Sequence, residues 1–229
     1  MAARKALLVV DVQRDFCPGG AVAVKGGDEV VPKLNKVIEA FAAGSLPVFF
    51  SRDWHPPNHI SFKANGGIWP PHCVKGTLGA GFHPKLEIPQ EAVVVSKGTI
   101  AGSEAYSAFQ GTDLEKRLRT IGVEEIFVGG IATDYCVKES VLDALTVGLR
   151  VNVIEDGVRG VDRRPDDSGV ALQEVATRGA RLVSASDAVR LVTHCSGFEP
   201  QSSEAGLLED KKRRTTRRFS LPSEWQSSH

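Results

Sequence analysis

Cys136 opens the chemistry. It follows an apolar run, residues 126–128, and a glycine pair, Gly129 and Gly130, and it stands one turn or less inside the start of a helix. Unpaired N–H groups and the positive end of the helix dipole at such a position favour a thiolate and can receive an oxyanion. A nucleophilic thiol also needs a base and a compensating cation. Asp11 and Lys97 each stand at or just after the end of an apolar run and supply these two groups. A second constellation, Asp53-x-His55-x3-His59 followed by His72, combines one carboxylate with imidazoles, a donor set that suits zinc, iron or manganese with positions left open. Four of the six histidines fall between 55 and 83, and prolines flank His55, His72 and His83, stiffening the backbone around them. Cys73, beside His72, is a softer alternative ligand, although in an extended segment its side chain points to the opposite side. Phe16, Trp69 and Tyr106 lie near these groups and, around a small pocket, would grip a flat apolar ring.

These side chains meet only if a scaffold brings distant segments to one edge. Apolar runs at 6–10, 47–50, 92–95, 126–128, 150–155 and 181–184 read as buried strands. Helical spacing at 29–43 places Val30, Val31, Leu34, Val37, Ile38 and Phe41 on one face. Thr112 to Glu115 reads as a capping box, with Leu114, Leu118 and Ile121 inward in the helix that follows. Thr133 and Asp134 read as caps for a helix that carries Val137, Val141, Leu142 and Leu145 inward and stops near Gly148. Further helices are expected at 168–178, closed by Gly179, and from Ser186. Six strands alternating with helices predict an α/β fold, a three-layer αβα arrangement around a doubly wound, mostly parallel sheet. In that architecture ligands bind beyond the carboxyl ends of the strands, the edge where Asp11, Asp53, Lys97 and Cys136 fall.

The 229 residues carry no net charge, which excludes nucleic acid as an expected partner of the folded part. No apolar run approaches the roughly 20 residues of a bilayer span, so no membrane association is expected. Cys17, Cys73, Cys136 and Cys195 show no paired spacing and no secretory leader is evident, which makes the cytoplasm the expected compartment. A domain over 1–195 with a long functional loop at 53–91 is expected. Residues 196–229 read as a polar, basic tail outside the core, whose Lys211-Lys-Arg-Arg214 run is a weak nuclear-access signal and whose Arg217-Arg-Phe-Ser220 resembles a basophilic kinase site.

Taken in order, Asp11-Val-Gln-x-Asp15-Phe16, Asp53-Trp-His55-Pro-Pro-Asn-His59-x-Ser-Phe62, Trp69-Pro-Pro-His72-Cys73-Val, Lys97-Gly and Gly129-Gly-Ile-Ala-Thr-Asp-Tyr-Cys136-Val resemble the nicotinamidase group of the isochorismatase-like cysteine hydrolase superfamily. The resemblance spans about residues 5–195. It implies hydrolysis of nicotinamide to nicotinate and ammonia through a Cys136 thioester, in NAD salvage, with Asp11 as general base and Lys97 stabilising developing charge. It implies an oxyanion hole from the backbone N–H groups of Ala132 and Cys136, beside a cis Ile131–Ala132 peptide. Asp53, His55 and His72 match metal ligands, with His59 a ligand in some members only; zinc leads, with iron and manganese as alternatives. Phe16, Trp69 and Tyr106 match ring contacts. Nicotinamide and close pyridine or pyrazine carboxamides are the implied partners, and a homo-oligomer is compatible with all of this. The alternatives are a cysteine amidase of the same superfamily acting on carbamoyl or ureido compounds, and a non-catalytic binding module on the same scaffold.

Overall fold

The computed structural model describes residues 4–193. The six expected strands are all present: β1 (Lys5–Val10), β2 (Val48–Asp53), β3 (Val93–Lys97), β4 (Glu125–Ile131), β5 (Arg150–Arg159) and β6 (Arg181–Val183). Five helices accompany them: α1 (Val30–Ala43), α2 (Leu114–Thr120), α3 (Lys138–Thr146), α4 (Asp167–Thr177) and α5 (Ala185–Thr193). Every strand pairing is parallel, in the order β3-β2-β1-β4-β5-β6. The tail at 196–229 and Cys195 lie outside the described residues.

The sheet is sandwiched because its strands are apolar on both sides. In the fully buried β1, Leu7 and Val9 enter one core with the α1 residues Leu34, Val37 and Phe41 and the α5 residues Ala188 and Val192. Ala6, Leu8 and Val10 point the other way, to Leu114 and Leu118 of α2, Val141 of α3 and Val175 of α4. Alternation through a central strand thus makes two cores and three layers.

The order reverses between β1 and β4, whose chains leave in opposite directions around the sheet and open a crevice at their carboxyl ends. Gly130 makes the close approach of these strands feasible: a Cβ on it would lie 2.0 Å from the carbonyl oxygen of Val10, and its φ is +131°.

Two local expectations fail. Asp134 caps no helix; its carboxylate instead accepts the N–H groups of Val161 and Asp162, both at 2.9 Å, because residues 133–137 wind as a π turn ahead of α3. The capping box at 112–115 is half-formed: Thr112 Oγ1 accepts the Leu114 N–H at 3.2 Å, while Glu115 turns to Arg119 one turn along its helix.

Candidate active site

Each reactive side chain stands at a strand's carboxyl end or in the turn after it. Asp11 follows β1 with φ +48°, bending the chain away from the sheet. Asp53 ends β2, Lys97 ends β3, and Cys136 sits in the turn after β4, whose Ile131–Ala132 peptide is cis as the resemblance implied. Ser140 braces that turn: its hydroxyl donates to the Cys136 carbonyl at 2.6 Å and accepts the Ala108 N–H at 2.9 Å.

Lys97 is the hub. Its ammonium donates to Asp53 Oδ1 (2.5 Å), to the Ala105 carbonyl (3.2 Å) and to Cys136 Sγ (3.3 Å). Asp11 Oδ2 lies 2.9 Å from the same nitrogen as an ion pair without an aligned hydrogen bond. The other Asp11 oxygen accepts the Ser51 hydroxyl at 2.6 Å. With the three ammonium hydrogens directed elsewhere, Oδ2 keeps a lone pair open beside the thiol. One oxygen each of Asp11 and Asp53 and the Cys136 sulfur all lie within 4.8 Å of one another.

The charges decide the ionisation states. Burial pushes the Asp11 carboxyl up, and Lys97 only partly offsets it. Burial opposes ionisation of Asp53 too, but Lys97 and His55 outweigh it and hold that carboxyl well below the usual range. The Lys97 ammonium, despite burial, is held well above its ordinary value by Asp11 and Asp53. Burial raises the Cys136 thiol well above the ordinary range; Lys97 works against this, but Asp11 and Asp53 reinforce it. One ammonium shared by two carboxylates leaves the pocket with an excess negative charge, which works against a thiolate at Cys136.

Asp53, His55 and His72, all buried, offer ligand atoms within 4.8 Å of one another. His55 Nδ1 hydrogen-bonds the Gly98 carbonyl at 2.9 Å and His72 Nδ1 the Pro70 carbonyl at 2.8 Å. A carbonyl can only accept, so both Nδ1 atoms carry the hydrogen and Nε2 is the nitrogen each ring turns toward a metal; that of His55 lies 3.6 Å from Asp53 Oδ2. Gly98 holds φ +60°, and a Cβ there would lie 2.4 Å from the His55 ring. Around a tetrahedral ion with bonds of about 2.0–2.2 Å the donor atoms stand roughly 3.5 Å apart, close to the 3.6 Å between His55 Nε2 and Asp53 Oδ2. The donor set therefore fits a divalent ion, whose charge would also balance the excess carboxylate.

His59 stands outside this cluster. It stacks on His55 with ring centroids 4.1 Å apart, and its nitrogens are engaged by Ser61 Oγ (2.7 Å) and the Ser103 carbonyl (3.0 Å). Cys73 is buried, and the polar atoms it brings to the site are main-chain ones: its N–H meets Asp15, and its carbonyl accepts the His55 N–H at 3.0 Å.

Between the thiol and the histidines lies a small cleft lined by Phe16, Trp69, Tyr106, Ala132, Cys136 and His72 among others. Trp69 Nε1 donates to the Tyr106 hydroxyl at 3.2 Å, which fixes two of the three rings expected there. Tyr135 was missed by sequence reasoning: it lines the cleft, 5.2 Å from the Trp69 ring and 5.5 Å from that of Tyr106. Its place next to the nucleophile was the available signal. Val22 and Val161, which complete the lining, carried none. Such a cleft can present a flat ring to a buried thiol, an open carboxylate lone pair and a prospective metal at once.

Known proteins resemble this chain. A family model described as the isochorismatase domain matches residues 5–187. The nicotinamidase of Escherichia coli (strain K12) is 43% identical over 204 residues, covering 80% of this chain and 96% of that protein. The nicotinamidase/pyrazinamidase of Mycobacterium tuberculosis is 41% identical over 190 residues, covering 80% and 100%. Among solved structures, the pyrazinamidase of Pyrococcus horikoshii in complex with zinc superimposes with a TM-score of 0.76 at 47% identity, over 79% of this chain and 99% of that one.

Proposed function

This chain belongs to the isochorismatase family, and on that premise we propose that it hydrolyses nicotinamide to nicotinate and ammonia. The observation that carries the reading is the convergence, around one ring-lined cleft, of a buried thiol with an open carboxylate lone pair and of a two-histidine, one-carboxylate cluster. A scaffold used only for binding has no need of the first. A metal-free amidase has no need of the second.

Asp11 Oδ2 takes the Cys136 proton as the sulfur attacks the carboxamide carbon, so that thiolate forms only as it is consumed. Lys97, 3.3 Å from the sulfur, offsets the charge during that transfer. The N–H groups of Ala132 and Cys136 receive the oxyanion of the tetrahedral intermediate. Asp11 then passes its proton to the amide nitrogen, the C–N bond breaks, and ammonia leaves a thioester on Cys136. Water, deprotonated by Asp11, attacks the thioester carbon; the C–S bond breaks and the sulfur recovers the proton. Phe16, Trp69 and Tyr106 hold the ring so that the carboxamide faces the sulfur. Asp53, His55 and His72 would hold one divalent ion, zinc first among those this donor set accepts, which when bound supplies a Lewis-acid docking point for the pyridine nitrogen. A pyrazine ring offers an equivalent nitrogen, so pyrazine carboxamides belong to the same substrate class. The free thiols of Cys17, Cys73 and Cys136 suit a reducing compartment such as the cytoplasm.

Ammonia release by the purified, zinc-loaded chain from nicotinamide, set against carbamoyl and ureido compounds, tests the assignment. Turnover of nicotinamide at least tenfold above the others is expected, and preference for a ureido compound would overturn it.

A further inference from the structure

The Asp11-Val-Gln-x-Asp15 segment holds two polar residues that the reaction does not use, Gln13 and Asp15. Gln13 is wholly buried. β1 pairs with β2 as far as Val10 opposite Ser51, and the Asp11 N–H still reaches the Ser51 carbonyl at 3.2 Å, but there the chain turns away. Asp53, two residues further along β2, is left without a main-chain partner from β1. The Gln13 carboxamide takes that place. Its Oε1 accepts the Asp53 N–H at 2.8 Å, and its Nε2 donates to the Asp53 carbonyl at 2.8 Å and to the Ala80 carbonyl at 2.8 Å. A side chain thus adds one rung to the parallel ladder at the residue that must divide its carboxylate between Lys97 and a metal.

Asp15 acts on the other ligands. Its Oδ2 accepts the N–H of Cys73, next to His72, at 2.7 Å, and the Cys73 carbonyl in turn accepts the His55 N–H at 3.0 Å. The carboxylate sits close under the loop at Gly79, where a Cβ would come within 2.2 Å of it.

We propose that Gln13 and Asp15 are positioning residues for the metal centre, Gln13 fixing the backbone of Asp53 and Asp15 that of the His72–Cys73 peptide, so that the three ligands stand ready before an ion arrives. This rests on the metal assignment above. Groups that orient metal ligands typically change affinity by about 10- to 100-fold when removed.

The test is zinc affinity of the full chain, measured by competition with a chromophoric chelator, alongside thermal midpoints of the zinc-free and zinc-bound forms. Gln13→Leu, which keeps bulk and loses all three hydrogen bonds, is expected to weaken zinc binding by about 10- to 100-fold. Gln13→Glu, which when protonated keeps the acceptor and one donor, is expected to recover part of that loss. Asp15→Ala is expected to weaken zinc binding, and Asp15→Asn, whose amide oxygen can still accept the Cys73 N–H, to weaken it less. A merely structural role would lower both midpoints equally and leave zinc affinity alone. Folded variants that bind zinc within twofold of the wild type would therefore overturn the proposal. If Gln13→Leu does not fold, Gln13→Glu and Asp15→Asn carry the same test. A wild-type chain that binds no zinc would overturn the metal assignment, and the proposal with it, an outcome distinct from wild-type binding that the variants leave intact.

Discussion

Replacing Asp11 by Asn separates thiol reactivity from turnover. The substitution keeps the shape of the side chain and removes one of the two carboxylates that hold the Cys136 proton in place. One Asp11 oxygen and the sulfur lie within 4.8 Å. Two like charges at that distance, with an effective permittivity of about 20, repel by about 3.5 kcal/mol. Lys97 remains 3.3 Å from the sulfur and no longer serves Asp11. The thiol pKa is therefore expected to fall in the variant, while hydrolysis, deprived of its proton acceptor, falls by about 10²- to 10⁴-fold. Iodoacetamide labelling of Cys136 against pH, followed by peptide mass analysis to separate it from Cys17 and Cys73, measures the first quantity. Ammonia release measures the second. A variant whose labelling midpoint stays put or rises would refute the electrostatic account, and one that retains turnover would refute Asp11 as the base.

Cys136→Ala is expected to abolish ammonia release while nicotinamide affinity, read by calorimetry, changes by no more than a few fold; measurable turnover would defeat the thioester route. His72→Ala is expected to lose zinc under dialysis, whereas His59→Ala keeps a full complement and loses only about 1–2 kcal/mol of stability with its two hydrogen bonds; zinc loss from the His59 variant would return that residue to the coordination shell. The raised Asp11 pKa carries a sign. A carboxyl whose pKa rises on folding contributes stability below its unfolded pKa and loses it as pH climbs through the folded value. Denaturant midpoints of zinc-free wild type should therefore fall relative to those of Asp11→Asn as pH rises across that window, and a gap constant with pH would contradict the assignment.

The parts of the molecule legible in its sequence are those governed by local rules. Strands such as 6–10 and 126–128 declare themselves because burial on both faces demands unbroken apolar runs, and α1 because its apolar spacing leaves one stripe to bury. Cys136, Asp11, Lys97 and the Asp53/His55/His72 set are visible because strand ends of a parallel sheet converge on one edge. Gln13 and Tyr135 were not visible as parts of the site. A carboxamide completing a ladder at Asp53, 40 residues away, leaves no local pattern, and an aromatic beside a nucleophile is equally a core residue. Asp134 misled because its capping chemistry is real but is directed across space to Val161 and Asp162.

The sequence by itself determined which groups could react and that a doubly wound sheet would gather them. Tertiary structure alone decided their surroundings: a sulfur buried beside two carboxylates, a Lys97 shared three ways, and His59 occupied by Ser61 and Ser103 while His55 and His72 turn Nε2 toward Asp53. Propensity and periodicity depend on neighbours within a turn or a strand. Ionisation and ligation depend instead on fields and hydrogen bonds between groups tens of residues apart, which acquire their strength only when folding removes the water between them.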